Sequence, residues 1–287
     1  MHHLSVKPTT VSTHQGDMTT ERSDLLAVEE PLEIRVEHGP DRAQRNLSVT
    51  MRTPGCDDDL VAGFLLTEGI LRQPADLLAV RNLSENIALA TLRPDLDFAV
   101  EKLERHFYTT SSCGVCGKTS IEALQVATDC PLPTGYADWQ PAPEILYALP
   151  DTLRRAQSTF EATGGLHAAA LFDLNGQLLA LREDVGRHNA LDKLLGHFFR
   201  QNALPLDQHI LLLSGRASFE LIQKAAMAGI RQVCAVGAPS SLAVETAAAF
   251  GIRLVGFLRA GRFNVYSGLR VEGRGWRVEG GFSTFKT

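Results

Sequence analysis

The sequence is poor in cysteine, has no long apolar run and carries no excess of basic charge, and each shortage excludes a class of protein. Its five cysteines, at positions 56, 113, 116, 130 and 234, are too few, and odd in number, for the disulfide framework of a small secreted fold. Reduced thiols and a cytoplasmic setting are therefore expected. No segment approaches the ~18 uninterrupted apolar residues of a membrane helix, so no membrane partner is expected. A formal net charge of −5 argues against a broad nucleic-acid-binding face, while leaving room for a local basic pocket. Residues 1–22 lack the apolar centre of a signal peptide. They are rich in Thr, His and Ser and read as a disordered tail, or in part as sequence upstream of a start at Met18.

What remains is globular composition, 44% hydrophobic and 21% charged over 287 residues, enough for one large domain or two modest ones. Residues 32–36 and 47–51 alternate apolar and polar side chains around Gly39-Pro40, the pattern of a hairpin with one wet face. Asp57, Asp58 and Asp59 then open a predicted helix over 57–71, where acidic residues suit the amino end of the helix dipole. A second hairpin is expected over 80–83 and 87–92. The segment 128–143 carries Pro131, Pro133, Pro141 and Pro143 with little periodicity, and so reads as the connection between an N-terminal part (23–127) and a C-terminal part (144–287).

The second part changes character. A helix is expected over 153–160, then two strands (167–172 and 177–181) flanking Asn175-Gly176, a strong hairpin-turn dipeptide. Helices over 190–199, 218–228 and 242–250 then alternate with strands over 210–213, 232–236 and 253–257. Apolar strands without alternation imply a mixed, partly parallel sheet with helices on both faces. The expected fold class is α/β, with a smaller β-rich N-terminal part of α+β character.

The chemistry centres on Cys113-Gly-Val-Cys116, in a small, polar, glycine-punctuated loop. Such a pair can bind zinc, cycle as a redox dithiol or carry sulfur, and spacing alone does not choose. Zinc would need two further ligands, yet no second CxxC, HxxxH or CxxH occurs, and no structural metal is expected. Redox motifs of this type follow the first strand of a small βαβ unit, whereas this one follows more than a hundred residues of other structure. A sulfur carrier needs a mobile loop and a thiol of lowered pKa; Gly114 and Gly117 supply the first, and Lys118 is a nearby cation for the second.

Longer motifs reduce the ambiguity. Ser111-Ser-Cys-Gly-Val-Cys-Gly-Lys118, Gly63-Phe-Leu-Leu-Thr-Glu-Gly-Ile70, Glu183-Asp-Val-Gly-Arg-His-Asn-Ala190 with Asp192-Lys193, and Ser214-Gly-Arg-Ala-Ser-Phe-Glu220 with Lys224-Ala225 occur in order. From about residue 32 to residue 268 the chain resembles the accessory sulfurtransferases of formate dehydrogenase, the FdhD family. The resemblance implies a homodimer with a core similar to cytidine deaminases. It implies a protein that takes sulfur from a cysteine desulfurase as a cysteine persulfide and delivers it to the molybdenum cofactor. That cargo is the Mo-bis(molybdopterin guanine dinucleotide), destined for the catalytic subunit of formate dehydrogenase.

Carried onto this chain, the resemblance makes Cys113 the persulfide carrier and Cys116 a supporting or exchanging thiol. It makes Phe257, Leu258, Arg259, Ala260, Gly261 and Arg262 the cofactor-binding stretch. That stretch lies just past the last predicted strand, where open α/β sheets place ligands. Gly261 permits close backbone approach, and Arg259 and Arg262 can fork onto phosphate oxygens. Arg187 and His188, and Ser214 with Arg216, precede predicted helices and are candidate pocket walls. Two other readings compete. A non-catalytic cofactor chaperone would not need the cysteines. A zinc-dependent deaminase-like hydrolase would need an HxE or CxE element, and the sequence has neither.

Overall fold

The computed structural model describes residues 5–96 and 138–268. The cysteine pair Cys113 and Cys116, with Cys130, lies outside the described residues. Among these no helix is long and apolar enough to cross a membrane.

The first element overturns an expectation. Residues 6–22 fall within the predicted disordered tail, but strands β1 (Val6–Gln15) and β2 (Met18–Ala27) pair as an antiparallel hairpin. The reason is local. Val6, Thr9, Thr10, Val11, Thr13, Thr19 and Thr20 are β-branched residues that favour extended backbone. Gly16, at φ +60, supplies the positive dihedral of a two-residue turn.

Strands β3 (Glu30–His38), β4 (Ala43–Arg52), β5 (Leu77–Ser84) and β6 (Ile87–Leu92) form a four-stranded sheet in the order β4-β3-β6-β5. Both predicted hairpins are present, and β3 and β6 pair in parallel at the centre. Helix α1 (Asp57–Thr67) covers one face, packing Leu60, Val61 and Leu65 against Leu32, Ile34, Val36 and Ala90. Its start is held from outside: Arg52, 1% exposed, grips Asp57 through Nε at 3.0 Å and Nη2 at 3.0 Å.

The six-stranded sheet runs β12-β11-β10-β9-β7-β8, from β7 (His167–Phe172), β8 (Leu178–Asp184), β9 (Ile210–Leu213), β10 (Gln232–Ala235), β11 (Arg253–Arg259) and β12 (Arg262–Ser267). β9, β10 and β11 are parallel; β7 and β12 run antiparallel to their neighbours. One face packs on α2 (Pro143–Ala156) through Leu146, Leu149 and Leu153; the short helix α3 (Ser158–Thr163) follows α2. The other face packs on α4 (Arg187–Arg200), α5 (Phe219–Met227) and α6 (Ser241–Ala249) through Leu191, Leu195, Leu221, Ile222, Ala243 and Ala247. This is the mixed sheet with helices on both faces that the apolar strands imply.

Two further elements differ from expectation. α2 starts at Pro143, ten residues before the predicted helix, because Pro143 occupies the first helical turn, where its missing N–H costs nothing. Pro150 inside it masks the helical pattern. Strand β12 was not expected; it follows Gly261, at φ +71, and returns along β11.

The two sheets meet through α1 and α4, which cross at glycines. A Cβ on Gly63 would collide with the backbone carbonyl of Asp192, and one on Gly196 with that of Asp59. Thr67 Oγ1 donates to Asp192 Oδ1 at 2.9 Å across this contact, and Lys224 Nζ, reaching over from α5, donates to Asp192 Oδ2 at 2.8 Å and to Thr67 Oγ1 at 2.8 Å.

Candidate functional site at the carboxyl rim of the sheet

Because β9, β10 and β11 are parallel, their carboxyl ends open onto one rim, the place where open α/β sheets bind ligands. Backbone hydrogen bonds lace the three loops there. Gly237 N–H donates to the Gly215 carbonyl at 2.9 Å, and Phe257 N–H donates to the Gly237 carbonyl at 3.0 Å. The approach needs glycine: a Cβ on Gly237 would sit 2.9 Å from Gly215 O, and one on Gly256 2.8 Å from Pro239 Cδ.

The predicted cofactor-binding stretch occupies the β11–β12 hairpin at one end of this rim. Arg259 and Arg262 face each other across the turn, and both are exposed, as are Ala260 and Gly261. Leu258 differs: it is fully buried with Leu146 and Leu149 and offers a ligand no exposed surface. Phe257 adopts φ +51 at an irregularity in the β11–β12 register. A bulky aromatic in left-handed conformation is strained by about 1–3 kcal/mol, and such strain gathers at ligand sites.

At the other end of the rim stand residues from β7, β8, α4 and the loop after β9. His167, the first residue of β7, lies beside Gly215. Burial holds its pKa below the ordinary histidine value, and Arg187, His188 and Arg216 lower it further against the pull of Asp184. Arg187 and His188 open α4 and Arg216 follows Gly215, so they reach the surroundings of His167 from two segments of the rim. Ser214 takes another role, since its Oγ accepts the Ala168 N–H at 2.8 Å and ties β9 to β7. His188 Nε2 lies 2.7 Å from Glu220 Oε2, but outside hydrogen-bond geometry.

Beneath the rim, Asp184 is fully buried, and burial pushes its carboxyl up despite Lys193, whose Nζ is 2.6 Å away. Asp184 also accepts Gly186 N–H at 2.8 Å and Thr53 N–H at 3.2 Å, while Asn189 Nδ2 donates to the Met51 carbonyl at 2.8 Å. Much of the Glu183–Ala190 motif therefore fastens β4 to the start of α4. Glu183 instead ties β8 to α3, its carboxylate accepting Phe160 N–H at 2.8 Å.

Sequence reasoning singled out neither His167 nor Glu220 for a role. His167 sits in an ordinary apolar strand, and only the antiparallel pairing of β7 brings its first residue to the carboxyl rim. Glu220 stood inside a quoted motif, and its signal was a carboxylate in the first turn of a helix after Ser-Gly-Arg.

Comparison with known proteins agrees with this architecture. The model of the FdhD/NarQ family matches residues 27–271. A Mycobacterium tuberculosis protein named sulfur carrier protein FdhD is 51% identical over 265 residues, covering 88% of this chain and 93% of that protein. One of the same name from Streptomyces coelicolor is 49% identical over 259 residues, covering 86% and 88%. A protein of Desulfotalea psychrophila, described in its crystal structure as a formate dehydrogenase accessory protein, shares the fold at TM-score 0.70 and 20% identity, over 92% of this chain and 97% of that one. The family match, from the hairpin's last residue to beyond β12, and relatives of about half identity over most of their length together show that this chain belongs to the FdhD/NarQ family.

Proposed function

We propose that the chain is a sulfur carrier serving formate dehydrogenase, accepting sulfur on Cys113 and passing it to a Mo-bis(molybdopterin guanine dinucleotide) cargo bound at the carboxyl rim. The relatives' name, sulfur carrier protein FdhD, supports the first half. The gathering of Arg187, Arg216, Arg259 and Arg262 on one rim of a chain with net charge −5 is the observation that carries the second. Guanidinium groups suit the diphosphates of such a cargo.

In the loading step, the Cys113 thiolate attacks the outer sulfur of a persulfide on the desulfurase. The donor S–S bond breaks, a new one forms on Cys113, and the desulfurase cysteine leaves as a thiolate, so no net oxidation occurs. Cys116 supports or exchanges with that sulfur. The partners in this reading are a cysteine desulfurase, the formate dehydrogenase catalytic subunit and a second copy of the chain, in the cytoplasm. The six-stranded part is taken as the deaminase-like core.

A cell lacking its own copy of this protein tests the reading by formate dehydrogenase activity. Cys113→Ala is expected to abolish activation while the purified variant stays folded and binds GDP as the parent does. Full activation by Cys113→Ala would instead make the protein a non-catalytic chaperone for the cofactor.

A further inference from the structure

The hairpin of β1 and β2 stands apart from both larger sheets, and among the described residues it pairs with neither. A two-stranded sheet is marginal alone in water. This one is rooted at its base: Ser5 Oγ donates to the Pro54 carbonyl at 3.3 Å, and Val28 N–H donates to the Ser5 carbonyl at 2.9 Å. There β2 also rests on α3, with Gly165 beside Ala27. Beyond the base, residues 18–23 are all exposed, Met18 at 67%, as are Leu25 and Leu26.

The two edges of the hairpin are not equivalent. At the two-residue turn Gln15 and Met18 form a hydrogen-bonded pair, and bonded and non-bonded pairs alternate from there. Pro8, opposite Leu25, therefore turns its nitrogen outward, and the outer edge of β1 lacks a donor at that point. β2 contains no proline, and its outward backbone groups belong to Thr19, Glu21, Ser23 and Leu25. The Leu25 N–H shows this phase directly, donating to the Asp24 carboxylate at 2.9 Å instead of joining the ladder. β2 is thus the edge open to another strand.

Charge along β2 selects that strand. An antiparallel neighbour identical to β2 must pair odd-numbered residues with odd and even with even, so the two-fold axis falls on a residue. An axis on Glu21, Arg22 or Asp24 would set identical charges opposite each other. An axis on Ser23 instead sets Arg22 opposite Asp24 twice, with Glu21 against Leu25, Thr20 against Leu26 and Met18 against Val28. Leu25 N–H then donates to the second copy's Glu21 carbonyl, which releases Asp24 for the second copy's Arg22.

We propose that two copies of this chain join by their β2 edges, antiparallel about Ser23, into a four-stranded arm. Residues 18–26 precede the stretch that matches the family, so the arm is a contact of this chain in addition to any association of the family's shared body.

Cross-linking of the full-length protein with a short bis-maleimide tests this. In Ser23→Cys the two substituted positions face each other with Cα atoms about 5.5 Å apart. A dimer is expected, with the link mapped by peptide mass spectrometry to position 23 in both copies. Thr20→Cys is the control: it is also exposed, but its two copies lie roughly 20 Å apart, and no link between them is expected. Adding Arg22→Asp to Ser23→Cys opposes acid to acid twice and should lower the yield roughly tenfold; adding Asp24→Arg as well should restore it. A position-23 link that does not form, forms no faster than one at position 20, is unmoved by Arg22→Asp, or stays low after the charge swap overturns the arm contact.

Discussion

Lys224 Nζ lies 2.8 Å from Asp192 Oδ2, and both side chains are buried where α1, α4 and α5 converge. Burial disfavours both charges. For Lys224 the attraction of Asp192 and Glu68 outweighs it, so its pKa stays above the ordinary lysine value; for Asp192 burial prevails over Lys224 and the pKa is raised. Lys224→Met would strand Asp192 without its partner, and breaking a buried pair costs about 3–5 kcal/mol. Urea denaturation should show a loss of that size, and a loss below about 1 kcal/mol would mean that the pair is not essential to the join.

The glycine crossing makes an independent prediction. Gly63→Ala places a methyl against the Asp192 carbonyl, and backbone cannot yield as a side-chain tip can. Overpacking of this kind costs about 1–3 kcal/mol or more. Gly261→Ala is the comparison, because its Cβ would meet nothing within 4 Å and only its φ of +71 is unfavourable, worth about 1 kcal/mol. Thermal melts should therefore rank Gly63→Ala well below Gly261→Ala in stability, and the reverse order would refute tight helix contact at Gly63.

Stability should also fall in acid through histidine. His167, His197 and His209 all have pKa values held below 6.5, in each case chiefly by burial. A lowered pKa means that the unfolded chain binds protons first as pH drops. The contribution is thus present above pH about 6.5 and is lost as pH falls from there toward the folded values. Denaturation midpoints at pH 7.5 and 5.5 should differ, and His167→Gln should narrow the gap. For His167 the groups that decide this are Arg187, His188 and Arg216 on one side and Asp184 on the other.

At the hairpin, Arg262→Ala should weaken GDP binding while leaving the melting temperature near that of the parent, since Arg262 is exposed and packs against no core. Unchanged binding by calorimetry would take the β11–β12 turn out of the site.

These expectations divide by what the sequence can express. Strand 210–213 and the hairpin around Asn175-Gly176 were legible because period and turn chemistry are local properties. Strand β12 was not, because Asn264 and Ser267 dilute its pattern and its pairing with β11 is tertiary. The N-terminal hairpin was hidden by its polar threonines, which resemble a tail in composition but favour strand in backbone preference. At the site, Arg259 and Arg262 could be named from the motif, whereas the gathering of Arg187, Arg216 and His167 depends on strand order. Lys193 and Asn189, in a motif quoted for the family resemblance, hold β4 and the residue after it to α4.

The most direct test of the central claim is mass spectrometry of the full-length protein after incubation with a cysteine desulfurase and cysteine. Trypsin cleavage after Arg105 and Lys118 would release residues 106–118, which contain both Cys113 and Cys116. The account predicts one added sulfur in that peptide, assigned by fragmentation to Cys113 and absent in Cys113→Ala. Peptide 106–118 recovered without added sulfur, while the desulfurase demonstrably releases sulfide, would contradict it.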